Sequence, residues 1–376
     1  MSTTLTQGLD ACRDRLRRAR QAASAAGVDA LLVTPGSDLR YLIGADGESH
    51  ERLTCLVLPT DGVPTLVVPK LEYPGYADLA LEDLGVDAVT WIDGESPHRM
   101  VADLLRAAGT LGRVALADAM PALHVLGLRG TVPGVEQVLA GPVLRELRMR
   151  KDAVEVAALR EAGAAIDRVH ARMGEWLRVG RTEAEVGADI AAAIVAEGHT
   201  EAAFVIVGSG PNGASPHHDV SDRVIESGDV VVVDIGGPLP NGYNSDSTRT
   251  YSLGEPRSGV AEHYAVLRAA QQAAVDAVRP GVTGEQVDTA ARKVIADAGL
   301  GEYFIHRTGH GIGLDAHEEP YIVGGNDLAL EPGMVFSIEP GVYLPGDSGA
   351  RIEDIVVVTD DGVECLNNTP RELVRL

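Results

Sequence analysis

The amino-acid sequence predicts an α/β (α+β) protein of two domains, residues 1–145 and 146–376, with an internal duplication in the second. The chain has 376 residues, enough for two domains of about 150 residues or more, each with its own core. Strand-like and helix-like segments alternate through the first domain, and one order of helix cap, strand and acid occurs twice in the second. The predicted fold class rests on these three observations.

The charge and the cysteine content exclude several classes of function. Acidic residues outnumber basic ones by 55 to 32, which gives a net charge of −23 and opposes binding to nucleic acid or to an anionic membrane. Three scattered cysteines do not suit a disulfide framework or a thiolate zinc site. The first ten residues lack the features of a signal peptide, and no apolar run approaches the roughly 20 residues of a membrane span. We therefore expect a soluble cytoplasmic protein without nucleic-acid or membrane partners.

The first domain shows structural patterns but no chemistry. A helix is predicted over residues 10–26, ending near Gly27. Apolar, strand-like runs follow at residues 29–34, 54–58, 65–68 and 113–117. Because no group of histidines, cysteines or acids is concentrated here, we expect this domain to serve packing or oligomerisation.

The second domain contains two copies of one pattern. Thr182 caps a predicted helix that reaches about residue 197, and Thr283 caps another that reaches about residue 298. Downstream, residues 225–236 align with residues 330–341, and each segment is predicted to be a strand that ends in a carboxylate before a glycine turn. These paired halves predict a pseudo-twofold sheet with acids at its centre.

Acids beside apolar strands predict a metal site. Four of them recur in matching places of the two copies: Asp234, Asp246, Glu339 and Glu353. Burying four carboxylates together raises their pKa values unless positive charge is present, and two divalent cations would balance them. A glycine-rich segment nearby contains His306, His310 and His317. Oxygen ligands with one imidazole favour Mn²⁺, Co²⁺, Fe²⁺ or Zn²⁺, and two such ions can activate a shared hydroxide. The residues alone therefore predict a dinuclear metallohydrolase.

Five ordered motifs also resemble those of a known family. They occupy residues 234–236, 244–250, 308–313, 338–341 and 351–354, and they resemble the metal-binding motifs of the M24 metallopeptidases. The resemblance covers residues 146–376 and implies the "pita-bread" fold of that family, an internally duplicated α/β sandwich. Residues 37–44 are similar to a creatinase-type N-terminal domain of the kind found in Xaa-Pro peptidases.

The resemblance also implies roles for individual residues. The implied metal ligands are Asp234, Asp246, His310, Glu339 and Glu353, with Asp246 and Glu353 bridging two ions. Glu339 would also move the proton of the attacking water. The implied substrate-binding residues are His217, His317, His306, Arg351 and Tyr321, and the first two would act in catalysis beside the scissile peptide. His218 is interpreted as a bystander.

The implied activity is hydrolysis of the Xaa-Pro bond at the N-terminus of dipeptides or short peptides, with two divalent ions as cofactors. Mn²⁺ is the predicted metal, with Co²⁺, Zn²⁺ and Fe²⁺ as alternatives, and a homodimer or homotetramer is expected. Dipeptidase activity is placed ahead of aminopeptidase activity. Many prolidases carry an arginine after the H-E-x-P stretch that grips the dipeptide's carboxylate, whereas here Tyr321 follows Pro320.

Three further alternatives remain beside the Xaa-Pro peptidases. Methionine aminopeptidase shares the fold and the ligands but usually lacks a separate N-terminal domain. Creatinase and its relatives work without metal and lack the full ligand set. Non-catalytic peptide-binding relatives of the same fold have generally lost the ligands, so the intact set favours an enzyme here.

Overall fold

The computed structural model describes residues 8–109 and 112–376, and the chain divides into two compact units after Arg148. The division lies close to the predicted boundary at residue 145, within helix α5 (Gly141–Met149). Among the described helices, none combines the length and the apolar character that a membrane crossing requires.

The first unit is built on one mixed sheet. Its other helices are α1 (Leu9–Ala25), α2 (Ser37–Ile43), α3 (Pro97–Ala107) and α4 (Ala122–Thr131). Its strands are β1 (Ala30–Val33), β2 (Cys55–Pro59), β3 (Thr65–Pro69), β4 (Asp87–Trp91), β5 (Arg113–Leu116) and β6 (Glu136–Leu139). They lie in the order β4-β3-β2-β1-β5-β6, with β2 antiparallel to both of its neighbours and the other pairs parallel. The predicted first helix and the four predicted strands are confirmed to within two residues.

The second unit contains four long helices and two larger sheets. The helices are α6 (Ala153–Ala171), α7 (Glu183–Ala196), α8 (Val260–Ala277) and α9 (Gly284–Asp297). One sheet has the order β17-β9-β8-β7, formed by Val374–Arg375, Asn244–Ser252, Val230–Pro238 and Phe204–Ser209. The other has the order β11-β10-β12-β15-β16, formed by Glu318–Ile322, Gly309–Gly311, Val335–Ile338, Asp354–Val358 and Val363–Cys365. A separate hairpin joins β13 (Gly341–Leu344) to β14 (Ser348–Arg351).

The internal duplication is confirmed in this unit. Thr182 and Thr283 each cap their helix through a capping box, and each forms an isolated antiparallel bridge, to Val224 and to Ala329 respectively. The antiparallel pair β8–β9 has its counterpart in β12–β15. Helices α6 and α7 pack on the first sheet, whereas α8 and α9 pack on the second. Each half therefore buries the apolar face of one sheet beneath one helix pair.

The two sheets meet along strand β9 and the segment between β14 and β15. Glu353 N donates to Thr248 O at 3.1 Å, and Thr250 Oγ1 donates to Arg351 O at 2.9 Å. Arg249 is buried and forms an ion pair with Asp354 at 2.6 Å. These bonds join the acid-bearing strands of the two copies at the middle of the unit.

The predicted position of Asp234 at a strand end is wrong. Strand β8 continues to Pro238, and Gly236 and Gly237 lie within it instead of forming a turn. Gly236 pairs with Asp246 and Gly237 with Ser245, so the ladder with β9 is unbroken. The glycines are needed because a Cβ at Gly236 would overlap the carbonyl oxygen of Ser245. Glu339, by contrast, does follow directly after its strand.

Candidate active site

The hairpin β8–β9 places the first two acids. Asp234 is opposite Thr248 and Gly236 is opposite Asp246 in the antiparallel register. Residues two apart on a strand share a face, so Asp234 and Asp246 project from the same face of the hairpin as diagonal neighbours. Both side chains are buried.

The second copy supplies the other three side chains. His310 lies in β10, Glu339 follows β12, and Glu353 precedes β15. His310 Nε2 is 3.2 Å from Glu339 Oε1 and 3.7 Å from Asp246 Oδ2. Asp246, His310 and Glu353 each offer a ligand atom, and these three atoms lie within 4.8 Å of one another. The structure thus brings together residues from both copies that lie up to 119 positions apart in the chain, as Asp234 and Glu353 do.

Glycines on both sides of His310 allow this close approach. A Cβ at Gly309 would overlap the carbonyl oxygen of Ser337, and a Cβ at Gly311 would overlap that of Glu319. Strand β10 can therefore lie between its two neighbours only with glycine at these positions. This agrees with the inference drawn from the glycine-rich sequence.

Hydrogen bonds from neighbouring residues orient the candidate ligands. His310 Nδ1 lies 3.1 Å from the carbonyl oxygen of Gly311, which can only accept, so the proton sits on Nδ1 and Nε2 faces the acids. Ser337 Oγ accepts from His310 N at 3.0 Å and lies 3.1 Å from Glu339 Oε1. Thr248 Oγ1 donates to Glu353 Oε2 at 2.7 Å. These contacts fix the directions of one imidazole and two carboxylates.

Arg351 is buried beside Asp234 and all of its N–H groups are used within the protein. Its Nη2 donates to Asp234 Oδ2 at 2.6 Å, its Nη1 donates to Tyr343 OH at 2.7 Å, and its Nε donates to Thr248 Oγ1 at 3.0 Å. Both terminal nitrogens also reach Pro216 O at 3.3 Å. Arg351 therefore supports Asp234, which differs from the substrate contact that the family resemblance implies.

The electrostatics of the cluster suit divalent cations. Burial and neighbouring carboxylates, Asp234 among them, raise the pKa of Asp246 and of Glu353 well above the usual range. Burial also acts to raise the pKa of Glu339, but the hydrogen bond and charge of His310 outweigh it and lower that pKa to about 2. Asp234 Oδ1 is buried and has no hydrogen-bond partner among the described residues. A buried carboxylate oxygen without a hydrogen-bond partner, next to acids that repel one another, has the properties of a ligand for a divalent ion.

Three further histidines surround the cluster. The His317 ring centroid is 4.1 Å from that of His310, and burial together with the charges of His310 and Arg307 lowers the His317 pKa to about 4. Burial likewise lowers the pKa of His306, whose Nε2 lies 2.8 Å from Tyr343 OH. The charge of His217 contributes to both shifts, so His217 faces the same region, and its side chain is exposed. Burial therefore disfavours the charged form of both His306 and His317.

The loop that contains His217 is anchored on both sides. Pro216 O accepts from Arg351, and His218 Nε2 donates to Glu183 Oε2 at 2.8 Å. Glu183 is fully buried and also accepts hydrogen bonds from Ser209, Asn212 and Ser221. His218, interpreted from the sequence as a bystander, has a structural contact here: it ties this loop to the start of helix α7.

Several residues that complete the site were not predicted from the sequence. They are Thr248, Ser337, Tyr343 and Glu183. Thr248 and Ser337 lie two residues from Asp246 and Glu339, so strand alternation alone predicts that they share a face with those acids. No comparable signal marks Tyr343 or Glu183, whose partners lie far away in the sequence.

Two family models match the chain. Residues 157–360 match the model of metallopeptidase family M24, and residues 15–150 match that of the creatinase/prolidase N-terminal domain. The first match spans the whole candidate ligand set.

Three similar proteins are informative. "Probable dipeptidase PepE" from Mycobacterium tuberculosis is 60% identical over 360 residues, which cover 96% of this chain and 95% of that protein. An "Xaa-Pro dipeptidase" from Lactobacillus delbrueckii subsp. lactis is 37% identical, over 92% of this chain and 95% of the relative. The crystal structure of dipeptidase PepE from Mycobacterium ulcerans is 60% identical and superposes with a TM-score of 0.93, over 98% of each chain.

Proposed function

Since the chain belongs to metallopeptidase family M24 and is a hydrolase of the prolidase type, we propose a specific activity for it. It is an Xaa-Pro dipeptidase that uses two divalent metal ions. The observation that carries the proposal is the convergence of Asp234, Asp246, His310, Glu339 and Glu353, with one buried oxygen of Asp234 left bare. The similarity to proteins named dipeptidase and Xaa-Pro dipeptidase supports it.

We assign the five side chains to two ions. Asp234 would hold one ion, His310 and Glu339 would hold the other, and Asp246 and Glu353 would serve both. When bound, such ions polarise a carbonyl oxygen and lower the pKa of a coordinated water. Hydrogen bonds from Thr248 to Glu353 and from Arg351 to Asp234 hold two of these carboxylates in place.

The chain's own residues then handle the protons and the substrate. Glu339, which lies 3.2 Å from His310 Nε2, accepts the proton of the attacking water. His317 and His217 hydrogen-bond to the scissile peptide and steady the oxyanion and the leaving nitrogen. His306, held by Tyr343 OH at 2.8 Å, lines the pocket beside them.

The substrate class follows from the chemistry of proline. An Xaa-Pro bond is a tertiary amide without an N–H, and its ring is rigid, so an enzyme that needs an amide donor positions it poorly. The cluster of carboxylates offers a place for the free α-amine of the first residue. The free α-amine of a dipeptide suits such an acidic site.

One feature favours a second candidate, an Xaa-Pro aminopeptidase that acts on longer peptides. Tyr321 occupies the place after the H-E-x-P stretch, so a carboxylate-binding arginine is absent at that position. Hydrolysis of Ala-Pro and of Ala-Pro-Ala by metal-stripped protein, with and without added Mn²⁺, separates the two candidates. Metal-restored cleavage of the dipeptide alone supports the dipeptidase, cleavage mainly of the tripeptide supports the aminopeptidase, and no cleavage of either contradicts both.

The remaining details are also proposals. We propose Mn²⁺ as the working ion, with Co²⁺, Zn²⁺ or Fe²⁺ as substitutes, and a homodimer or homotetramer in the cytoplasm. Residues 1–145 would form the creatinase-type N-terminal domain and residues 146–376 the catalytic domain. Sedimentation of the purified chain tests the oligomeric state, and metal analysis of protein purified without added metal tests the ion.

A further inference from the structure

We propose that Arg307 binds the C-terminal carboxylate of the dipeptide and thereby selects dipeptides over longer peptides, an inference that rests on the proposed function. No feature of the sequence motifs assigns a role to Arg307. Its guanidinium lies against Tyr321 and has no acidic partner among the described residues, and the substrate carries a matching anion.

The position of Arg307 follows from strand pairing. Tyr321 lies directly opposite His310 in the antiparallel pair β10–β11, and directly opposed residues point to the same face of a sheet. The ring of Tyr321 therefore lies on the face that His310 presents to the acid cluster. The guanidinium carbon of Arg307 is 4.6 Å from the centroid of that ring, within the range of a cation–π contact. Tyr321 thus holds the positive charge of Arg307 beside the candidate site.

The main chain around Arg307 is also fixed to the site. His306 Nδ1 donates to the carbonyl oxygen of Arg307 at 2.7 Å, and His306 Nε2 contacts Tyr343 OH. The next residue, Thr308, is buried and bonded to Asp288 through Oγ1 at 2.7 Å. Arg307 is therefore attached to a rigid segment whose neighbours line the pocket, and its charge reaches His317.

The charge of Arg307 has no acidic partner. Within residues 8–109 and 112–376, no carboxylate lies within ion-pair distance of its guanidinium and no side-chain hydrogen bond satisfies it. Nearby Arg292 differs, since it forms an ion pair with Asp288 at 2.9 Å and also donates to two backbone carbonyls. In a chain with a net charge of −23, a half-buried arginine without a carboxylate is an available anion site.

The dipeptide carries the matching anion. Cleavage of an Xaa-Pro dipeptide places its carboxylate one residue beyond the reacting carbonyl, whereas in a longer peptide an amide occupies that place. An arginine binds a carboxylate through two parallel N–H bonds, which an amide cannot accept in the same way. A single unpaired guanidinium at the edge of the pocket therefore distinguishes the two substrate classes.

The test compares substrates that differ only at this end. Ala-Pro, its C-terminal amide Ala-Pro-NH2 and Ala-Pro-Ala are assayed with the Mn²⁺-loaded full chain. For Arg307→Gln we expect kcat/KM on Ala-Pro to fall about 10- to 100-fold, mainly through KM, because one charged hydrogen-bond pair is lost. We expect hydrolysis of Ala-Pro-NH2 to stay within about twofold of wild type. Arg307→Lys should recover part of the loss on Ala-Pro.

A matched control separates this role from a general effect of charge. Arg268→Ala removes one exposed arginine from helix α8. Helix α8 packs on the half of the unit that does not contain His217. This variant should hydrolyse all three substrates at the wild-type rates. Equal losses on Ala-Pro and on its amide would overturn the role of Arg307, as would an undiminished rate on Ala-Pro. If the wild-type chain cleaves none of the substrates, the proposed function itself fails. A thermal unfolding midpoint (Tm) equal to that of the wild type would show that both Arg307 variants are folded.

Discussion

Arg351 Nη2 donates to one oxygen of Asp234, Oδ2, at 2.6 Å, while the other oxygen of the same carboxylate is buried without a hydrogen-bond partner among the described residues. Oδ2 of Asp234 is thus held by the protein, and Oδ1 is available as a metal ligand. Because all five N–H groups of Arg351 are used, the orientation of Asp234 depends on a network that includes Thr248, Tyr343 and Pro216.

Arg351→Lys is therefore expected to weaken metal binding. Lysine keeps the positive charge but cannot donate in the fork geometry that joins Asp234 to its neighbours. Loss of an outer partner of a metal ligand typically costs about 10- to 100-fold in affinity. Isothermal titration with Mn²⁺ measures the change, and an affinity equal to that of the wild type would contradict this role for Arg351.

Glu339→Gln and His310→Ala are expected to abolish hydrolysis while leaving the fold largely intact. Glutamine keeps the shape of Glu339 but cannot accept the water proton, and alanine removes the one imidazole of the cluster. We expect kcat/KM on Ala-Pro to fall at least about 100-fold in each variant. Steady-state kinetics with circular dichroism as the folding control make the test, and rates near wild type in either variant would exclude the metal mechanism.

Glu183 and His218 are expected to position His217. In His218→Ala the loop loses its bond to Glu183, and we predict that kcat falls about tenfold while the affinity for Mn²⁺ stays unchanged, since His218 lies outside the cluster. His218→Asn, which can still donate, should recover part of kcat. A loss of kcat that Asn does not restore at all would indicate that the hydrogen bond to Glu183 does not orient the loop.

The buried carboxylate of Glu183 is also expected to stabilise the fold in a way that is lost in acid. Burial acts to raise the pKa of Glu183, but hydrogen bonds from Ser209, Ser221 and His218 outweigh it and lower that pKa below its usual value. A carboxyl group whose pKa is lower in the folded protein than in the unfolded chain adds to the free energy of unfolding. This contribution is fully present above the pKa of the unfolded chain and is lost as the pH falls through the pKa of the folded protein. Glu183→Gln should therefore lower the free energy of unfolding at pH 7 and lose less further stability below about pH 4.5. Urea unfolding at both pH values measures this, and an unchanged pH profile would contradict it.

His170 predicts a second pH dependence, in a different range. Its ring is buried between Tyr251 OH at 2.9 Å and Ser247 O at 3.1 Å, and burial followed by the charge of Arg249 lowers its pKa to about 3. In the unfolded chain the imidazole of His170 is protonated below about pH 6.5, whereas in the folded protein it stays neutral down to about pH 3. The contribution of His170 to the free energy of unfolding is therefore fully present above about pH 6.5 and decreases as the pH falls towards 3. His170→Gln should remove about 3 kcal/mol of the difference in unfolding free energy between pH 7 and pH 4. Urea unfolding at the two pH values measures it, and a variant with the wild-type difference would refute this origin.

Sequence patterns predicted the parts of the site that local rules govern. The two threonine caps, the apolar strands and the acids beside them follow from side-chain period and capping, so the duplication and the candidate ligands could be predicted from the sequence alone. Thr248 and Ser337 follow from the same alternation once Asp246 is placed on its strand and Glu339 directly after its own.

Contacts between distant segments could not be predicted in this way. The extension of β8 past Asp234 depends on its pairing with β9 on one side and with β7 on the other, which allows two glycines to continue the ladder. The role of Arg351 depends on Asp234, which lies far away in the chain and contacts it only when the two sheets meet. Neither relationship leaves a periodic signal in the sequence.

The central claim is that five side chains hold two divalent ions that hydrolysis requires, and the most direct measurement is the number of Mn²⁺ ions bound per chain together with the rate on Ala-Pro. Metal-stripped protein would be titrated with Mn²⁺, and bound metal and activity would be followed in the same samples. The account predicts two ions per chain, with activity rising as the sites fill and falling again with a chelator. Full hydrolysis by metal-stripped protein, or binding of no ion at saturating Mn²⁺, would contradict it.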